Sequence, residues 1–519
     1  MITNPIIPGF NPDPCICRKG EDYYLVVSTF EWMPGLPVYH SRDLKHWELY
    51  SHVITDDEKV DLKKLPSAKG LWAPCLTYCE EEDLFYVVYG VMNSMNARYF
   101  DVDNFLITAK DIRGPWSEPV YLHSSGFDAS LFQDDDGRKY VVALEWETRE
   151  GYEKPGAICM VEYDPQKREI IGYPKRIWNG GTDRGCIEAP HLTKRNGYYY
   201  IMCAEGGTGY NHCVTMGRSE HVWGPYERDP ENPILTSVPG ESYERHNPDH
   251  LKPKYYNPAS VLQKSGHGSY VETPESSLPE YPLPRIPDFD DFDSGELGSW
   301  YYAPRIMPQR FADVKARPGW VRLRGQESRT SLNKVSILAR KLTSVYARIT
   351  TKMEFQPEVH QHSAGLILYY DNMNYINLRK YYSETLGGSA LLFLMRKFYV
   401  TYSCGGGGSM LFCLQALFFS YSHAVSAVSK KNAGYSPAFL SEILMLIFHD
   451  QSKQRGSGWK EETPYMGLLR KQRRRACGAE DKRKSQRKAA MASGICRCPA
   501  YRAGRGTQPS GYKGRVSAD

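Results

Sequence analysis

The chain has no run of eighteen apolar residues, so it carries no segment of the length a bilayer-spanning helix requires. It also lacks a basic start followed by an apolar core. Met1 leads into ITNPIIPGF, which does not read as a secretory leader. Its 13 cysteines form neither paired CxxC motifs nor a regular framework. That argues against zinc ribbons and disulfide scaffolds and favours a reduced, cytoplasmic setting. No membrane partner is expected.

What is present is aromatic and globular. The 519 residues are 41% hydrophobic and 24% charged, with 38 tyrosines and 10 tryptophans. A chain of that length exceeds one core, so two or more domains are expected. Such a tyrosine load is typical of β-rich folds and of surfaces that stack on sugar rings. The net charge of +5 is unevenly spread. Residues 451–519 hold 18 basic and 5 acidic residues, leaving 47 and 55 in 1–450, a net of −8. The body is mildly acidic and the end strongly basic, so the overall charge says little about the body's partners.

A repeat runs through the first half. Aromatic runs begin at Tyr23, Phe85, Tyr140 and Tyr198, at intervals of 62, 55 and 58 residues. Each is followed by a turn and a second apolar run, as in DYYLVVSTF then SRDLKHWELY. Several short strands per unit at this period indicate β-propeller blades. A fifth unit opens at SGHGSYVETP (265–274) and stops, because the Pro-rich PESSLPEYPLPRIPD follows at once. The expected organisation is all-β. It comprises a propeller over 1–274 with an incomplete fifth blade, a linker over 275–287, and a partial β-sandwich over 288–391. In the sandwich GWVRLRGQES, YARITTKMEF, SAGLILYYD and YINLRKYYSE alternate as half-buried strands do. From 392 to 519 the pattern loses consistency: a Gly run (405–408), an aperiodic apolar stretch, then RKQRRRACGAEDKRKSQRK. That segment reads as a disordered basic tail and, given the abrupt break after about residue 391, as the product of a shifted reading frame. It has no nucleic-acid recognition fold, so nucleic acid is not the expected partner.

Three carboxylates stand out: Asp13 in NPDP, Asp128 in GFDAS and Glu188 in GCIEAPH, each ten to twelve residues ahead of a tyrosine-rich run. Equal position in successive repeats means equal position around a ring. Asp13, Trp72, Asp128, Glu188 and His267 are therefore expected at one point of five successive inner strands, facing the central channel. Alone, each acid is a weak signal, since an Asp between prolines is usually a turn residue. Together they supply what glycoside hydrolysis needs: one ionised carboxylate, one protonated acid, and a third carboxyl that holds the acid's pKa up.

GFNPDPCIC, STFEWMPGLPVYHSRDLKHW, GLWAPCL, GFDASLFQDDDGRKY, GCIEAPHLTKRNGYYY, AEGGTGYNHCVTMGRS and SGHGSYVET resemble family 43 glycoside hydrolases. The likeness is closest to the β-xylosidases that carry a C-terminal β-sandwich. The resemblance implies a five-bladed propeller that releases xylose from the non-reducing end of β-1,4-xylo-oligosaccharides with inversion. It implies Asp13 as general base, Glu188 as general acid and Asp128 as modulator of Glu188. Phe30 and Trp72 would wall the sugar pocket, with Trp146 and Thr208 bordering it. His267 would sit at the channel centre, where some relatives hold a calcium ion mostly through water. No cofactor is needed for the chemistry, and a homo-oligomer is a common assembly.

The chain departs from this resemblance twice. Relatives continue after GHGSYVET with segments that complete the fifth blade and carry an Arg-Pro motif to the sugar, and they complete the sandwich beyond 391. Weak activity or low stability is therefore expected. Three alternatives stay open: an α-L-arabinofuranosidase, a non-catalytic sugar-binding propeller, and a nucleic-acid binder driven by the tail.

Overall fold

Short β-branched and aromatic runs bounded by Asp, Asn and Gly turns favour antiparallel hairpins, and hairpins are what form. The computed structural model describes residues 2–96, 99–146, 156–238, 257, 259–260, 262–274, 277–344 and 346–396. All of these lie in one unit, Met1–Phe448. The part of the expected tail from 397 to 519 lies outside the described residues.

The first sheet runs β1 (Cys15–Lys19), β2 (Asp22–Val26), β4 (Gly35–Ser41), β5 (Glu48–Ile54), while β3 (Trp32–Met33) stands apart from it. The second is β6 (Gly70–Cys79), β7 (Leu84–Asn96), β8 (Tyr99–Ala109) and β9 (Val120–His123). The third is β10 (Gly126–Gln133), β11 (Lys139–Glu145), β12 (Ala157–Asp164) and β13 (Glu169–Trp178). The fourth holds β14 (Glu188–Arg195), β15 (Tyr198–Glu205), β16 (Cys213–Ser219), β17 (Glu227–Arg228) and β18 (Leu235–Thr236). Every pairing in these four sheets is antiparallel and nearly all are sequential, which is the blade pattern the repeat predicts.

The inner strands β1, β6, β10 and β14 pack side by side in that order. A fifth segment closes the ring. Ser269 Oγ accepts the Ile16 N–H (3.0 Å) and donates to Pro14 O (3.2 Å) at β1. On its other side, Gly266 lies against the His212 ring and Gly268 near Val214 of β16. Among the described residues, 262–274 carry no strand, in keeping with an unfinished fifth unit.

The core lies between neighbouring sheets. Val26, Leu71, Val87, Leu106 and Val141 belong to one apolar cluster, and Met92, Phe127, Ile158 and Ile201 to a second. Tyr23, Tyr89 and Tyr140 are fully buried in these layers. Much of the tyrosine content is thus packing material for sheets, not sugar-stacking surface.

The second half begins with β19 (Ala303–Pro304), which pairs with β3 of the propeller. β20 (Ala312–Asp313) and β21 (Arg322–Leu323) form a minimal ribbon. β22 (Ser363–Tyr369), β23 (Tyr375–Ser383) and β24 (Gly388–Arg396) form a three-stranded antiparallel sheet. The sheet extends five residues past the expected boundary at 391. YARITTKMEF, over 346–355, is not a strand. Its residues alternate in exposure from 346 to 350, but only Ile349 makes a bridge, and one bridge is not a ladder.

Where the two halves meet, two buried, oppositely charged residues lie near each other, though the terminal guanidinium nitrogens of Arg305 have no hydrogen-bond partner. Arg305 is 1% exposed and Glu31 2%. The Arg305 N–H donates to Glu31 O (2.6 Å) and its Nε to Leu65 O (2.8 Å). The Glu31 carboxylate accepts the Ala68 N–H (3.0 Å). Burial pushes the Glu31 carboxyl up, and the Arg305 guanidinium pulls it back. Outside this pair, Arg310 holds Asp57 (2.7 Å) and Lys341 donates to Asn11 Oδ1 (2.8 Å).

Removing one partner of a buried pair leaves an uncompensated charge. Arg305→Met should therefore lower unfolding stability by about 3–5 kcal/mol in urea denaturation. Adding Glu31→Gln to it should recover part of the loss. A loss below about 1 kcal/mol would mean the pair is not desolvated as described.

Candidate active site

Each inner strand enters the channel through the same backbone device. Asp13, Ala73, Asp128, Ala189 and His267 all have left-handed backbones, with φ of 55°, 36°, 53°, 51° and 50°. In β6, β10 and β14 a register shift falls at this point, between Trp72 and Cys75, Phe127 and Ser130, and Glu188 and His191. A left-handed residue in a bulge turns the strand and re-aims the side chains beside it.

This alignment corrects the phase read from the sequence. Asp13, Asp128 and His267 do share one position, with Ala73 and Ala189 as its other occupants. Trp72 and Glu188 sit one residue earlier, in register with Pro12, Phe127 and Gly266. Spacing to the tyrosine runs could not see this, because loop lengths differ by one or two residues between units. The aligned triplets PDP, WAP, FDA, EAP and GHG carry the signal once the bulge is known. Gly266 has no freedom to be larger, because a Cβ there would collide with the His212 ring.

The three acids converge, in unlike surroundings. Asp13 is partly exposed; it accepts the Ser28 hydroxyl at Oδ2 (2.6 Å) and lies 3.5 Å from His267 Nδ1 at Oδ1. Ser28 is itself fixed by the Ala73 N–H (2.7 Å). Asp128 is buried and accepts the Ala189 N–H. Burial raises its pKa well above the carboxylate range, and the charges of Glu188 and then Asp13 push it further. Glu188 is pushed up to about 8, first by burial and then by the Asp13 charge. Like charges in a shared dry space forbid full ionisation. The set therefore holds at least one proton near neutral pH and titrates as a coupled group.

Aromatic rings pack in a chain beside the acids. Phe10 meets Phe30 at 5.5 Å, Phe30 meets Trp72 edge-on at 6.0 Å, and Trp72 meets Phe127 at 6.2 Å. Phe127, Phe100 and Trp146 then pack together, Phe100 at 4.9 Å from Phe127 and 4.8 Å from Trp146. Trp72 is held by its Nε1–H on Ala68 O (3.1 Å), and Lys69 Nζ lies 5.6 Å from its ring centre. Phe30, Trp72 and Trp146 are thus joined in one wall. Phe10, Phe100 and Phe127 belong to it and were missed. Phe127 could have been found from its phase, which it shares with Trp72. Thr208 lies exposed on the turn after Glu205. Arg184, a tempting cation near Glu188, is spoken for: it is buried and donates to Asn211 O (2.9 Å) and Val238 O (2.8 Å). Arg138 pairs with Asp136 at the surface (2.6 Å).

Below the acids the channel changes character. Cys15, Cys75, Ser130 and His191 line the same cavity two residues further along their strands. Among the described residues, the side-chain oxygens lining it belong to Asp13, Asp128 and Ser130. Calcium takes six to eight oxygens. An ion of that kind near His267 would draw most of its shell from water.

A ring of antiparallel sheets around opposed carboxyl groups, walled by aromatics, is equipment for acid–base cleavage of an acetal. Residues 2–279 match the glycosyl hydrolases family 43, and residues 289–397 the β-xylosidase C-terminal concanavalin A-like domain. The chain belongs to glycosyl hydrolase family 43. A β-xylosidase of Bacillus subtilis is 37% identical over 448 residues, covering 74% of this chain and 80% of the relative. A xylosidase/arabinosidase of Humicola insolens is 36% identical over 447 residues, covering 76% and 79%. The crystal structure of xylan β-1,4-xylosidase from Bacillus halodurans superposes with a TM-score of 0.68 at 36% identity, covering 76% of this chain and 82% of that one.

The retained proton is directly observable. A difference infrared spectrum between the parent and Glu188→Gln should show a protonated-carboxyl band at neutral pH that fades as pH rises through about 8. No band at neutral pH would mean Glu188 is ionised there.

Proposed function

We propose that this protein is an exo-acting β-xylosidase that removes xylose from the non-reducing end of β-1,4-xylo-oligosaccharides with inversion. The observation that carries the reading is the contrast between Asp13 and Glu188. Asp13 is partly exposed and oriented by Ser28. Glu188 is buried and keeps its proton to about 8. That is the division of labour inversion needs. Asp13 acts as general base: it takes a proton from a water that attacks the anomeric carbon. Glu188 acts as general acid: it gives its proton to the departing glycosidic oxygen. Asp128, touching the strand of Glu188 through Ala189, keeps the acid's proton affinity high. His267 orients Asp13. Phe30, Trp72 and Trp146 give the sugar an apolar face, and Thr208 lies on the turn proposed to border it. No step uses a metal ion, and the calcium expectation adds nothing to the proton transfers.

A second reading, α-L-arabinofuranosidase, is favoured by the dual name of the Humicola relative. Rates on aryl β-xyloside and aryl α-arabinofuranoside separate the two, and proton NMR of the first-formed sugar reads the anomeric outcome. The unfinished fifth unit supports a rate below that of a full-length xylosidase.

Because Glu188 must be protonated, kcat/KM should be present below about 8 and fall as pH rises through it. Glu188→Gln should lower kcat by about a hundred- to ten-thousandfold. A variant that keeps parental kcat would remove Glu188 from the acid's role. Ser28→Ala should lower kcat by about ten- to a hundredfold with little change in KM, since a hydrogen bond to a charged group contributes about 1.5–3 kcal/mol. An unchanged kcat would show that Ser28 does not orient the base.

A further inference from the structure

One ring below the acids, the channel gathers soft donors from three different sheets. Cys15 Sγ of β1, Cys75 Sγ of β6 and a ring nitrogen of His191 of β14 lie within 4.8 Å of one another. All three line one cavity with Ser130 of β10. Ser130 is 3% exposed, and its hydroxyl has no hydrogen-bond partner. A buried hydroxyl without a partner is costly and calls for an explanation, such as a bound ion or water. The thiols lie side by side, and Cys15 Sγ donates to Leu76 O (3.7 Å) and accepts the Leu76 N–H (3.3 Å). Burial holds His191 neutral, with a lone pair available to ligate.

We propose that Cys15, Cys75 and His191 bind a thiophilic divalent cation of the zinc class, with Ser130, directly or through one water, completing a tetrahedron. Two sulfurs, one imidazole and one oxygen suit zinc or cadmium and do not suit calcium or magnesium. Zinc–sulfur bonds of about 2.3 Å and zinc–nitrogen bonds of about 2.0 Å place tetrahedral ligand atoms roughly 3.5–3.8 Å apart. The ligands would close by about 1 Å at most from their present spread. Binding displaces the protons of both thiols to solvent, so both sulfurs ligate as thiolates. The ion would tie the inner strands of the first, second and fourth sheets together, in a ring whose fifth segment carries no strand among the described residues. This proposal is independent of which glycoside the enzyme cleaves.

The test uses the full chain, reduced and freed of metal by a chelator. Zinc chloride and, separately, calcium chloride are added while bound metal per chain and the thermal midpoint are read. The parent should bind one more zinc per chain than Cys75→Ser, and His191→Gln should lose that same ion. Zinc should raise the midpoint of the parent more than that of either variant, and calcium should not reproduce the rise. The difference is the readout, not the total, because other cysteines such as Cys496 and Cys498 can take zinc on their own. Cadmium NMR on the parent with isotope-labelled histidine keeps the test decisive where a variant does not fold. A two-sulfur resonance coupled to one imidazole supports the site. Equal zinc counts in the parent and folded variants, or cadmium resonances with no sulfur–imidazole site, would overturn it.

Discussion

Three carboxyl groups facing one dry space cannot all carry charge, and the propeller is arranged around that constraint. At a protein-like effective dielectric, two unit charges a few ångströms apart repel by several kcal/mol. The channel answers by grading the surroundings. Asp13 looks toward solvent, with a hydroxyl and an imidazole beside it. Asp128 and Glu188 are held away from water; the charges of Glu188 and Asp13 push the proton affinity of Asp128 up, and the Asp13 charge pushes up that of Glu188. The chemistry follows from this gradient and not from the acids' identities, since the same residue types on a wet surface would all be ionised.

Among the described residues, the second half of the chain braces the aromatic wall without lining the channel. Arg305 is buried against Glu31, and Glu31 directly follows Phe30, the residue bridged to Leu71 and set edge-on to Trp72. β19 and β3 pair across the same junction. The aromatic wall is thereby anchored from behind by a domain that, among the described residues, places no acid in the channel. In the energetics of this junction, packing of the sandwich half and shape of the sugar pocket are linked quantities.

Much of the fold was legible because strands advertise themselves by alternation, and repeats by period. Four aromatic runs marked four sheets. The unfinished fifth unit was visible in the short span between His267 and the Pro-rich linker. The three acids were legible as a set. Their phase was not, because a bulge inserts a residue that no local propensity reports, and Glu188 was placed one residue off the shared position for that reason. Phe10 and Phe100 were illegible as wall residues because an aromatic in a β-rich chain is most often core. The segment 346–355 failed in the opposite way. Its pattern is that of a strand, and pattern cannot tell whether a partner lies alongside.

The left-handed entry residue also limits which amino acids this architecture can ever try there. Its five occupants are Asp, Ala, Asp, Ala and His. Short polar residues tolerate that backbone, whereas β-branched and bulky ones rarely do. Glu188, the one long acid, stands a residue earlier, and among these five entry residues the left-handed backbone beside it falls on Ala189. Mutational drift at the five entry positions is thus channelled by backbone conformation before selection on catalysis acts. New specificities in this scaffold are more accessible through the neighbouring position, where Pro, Trp, Phe, Glu and Gly already coexist in a single chain.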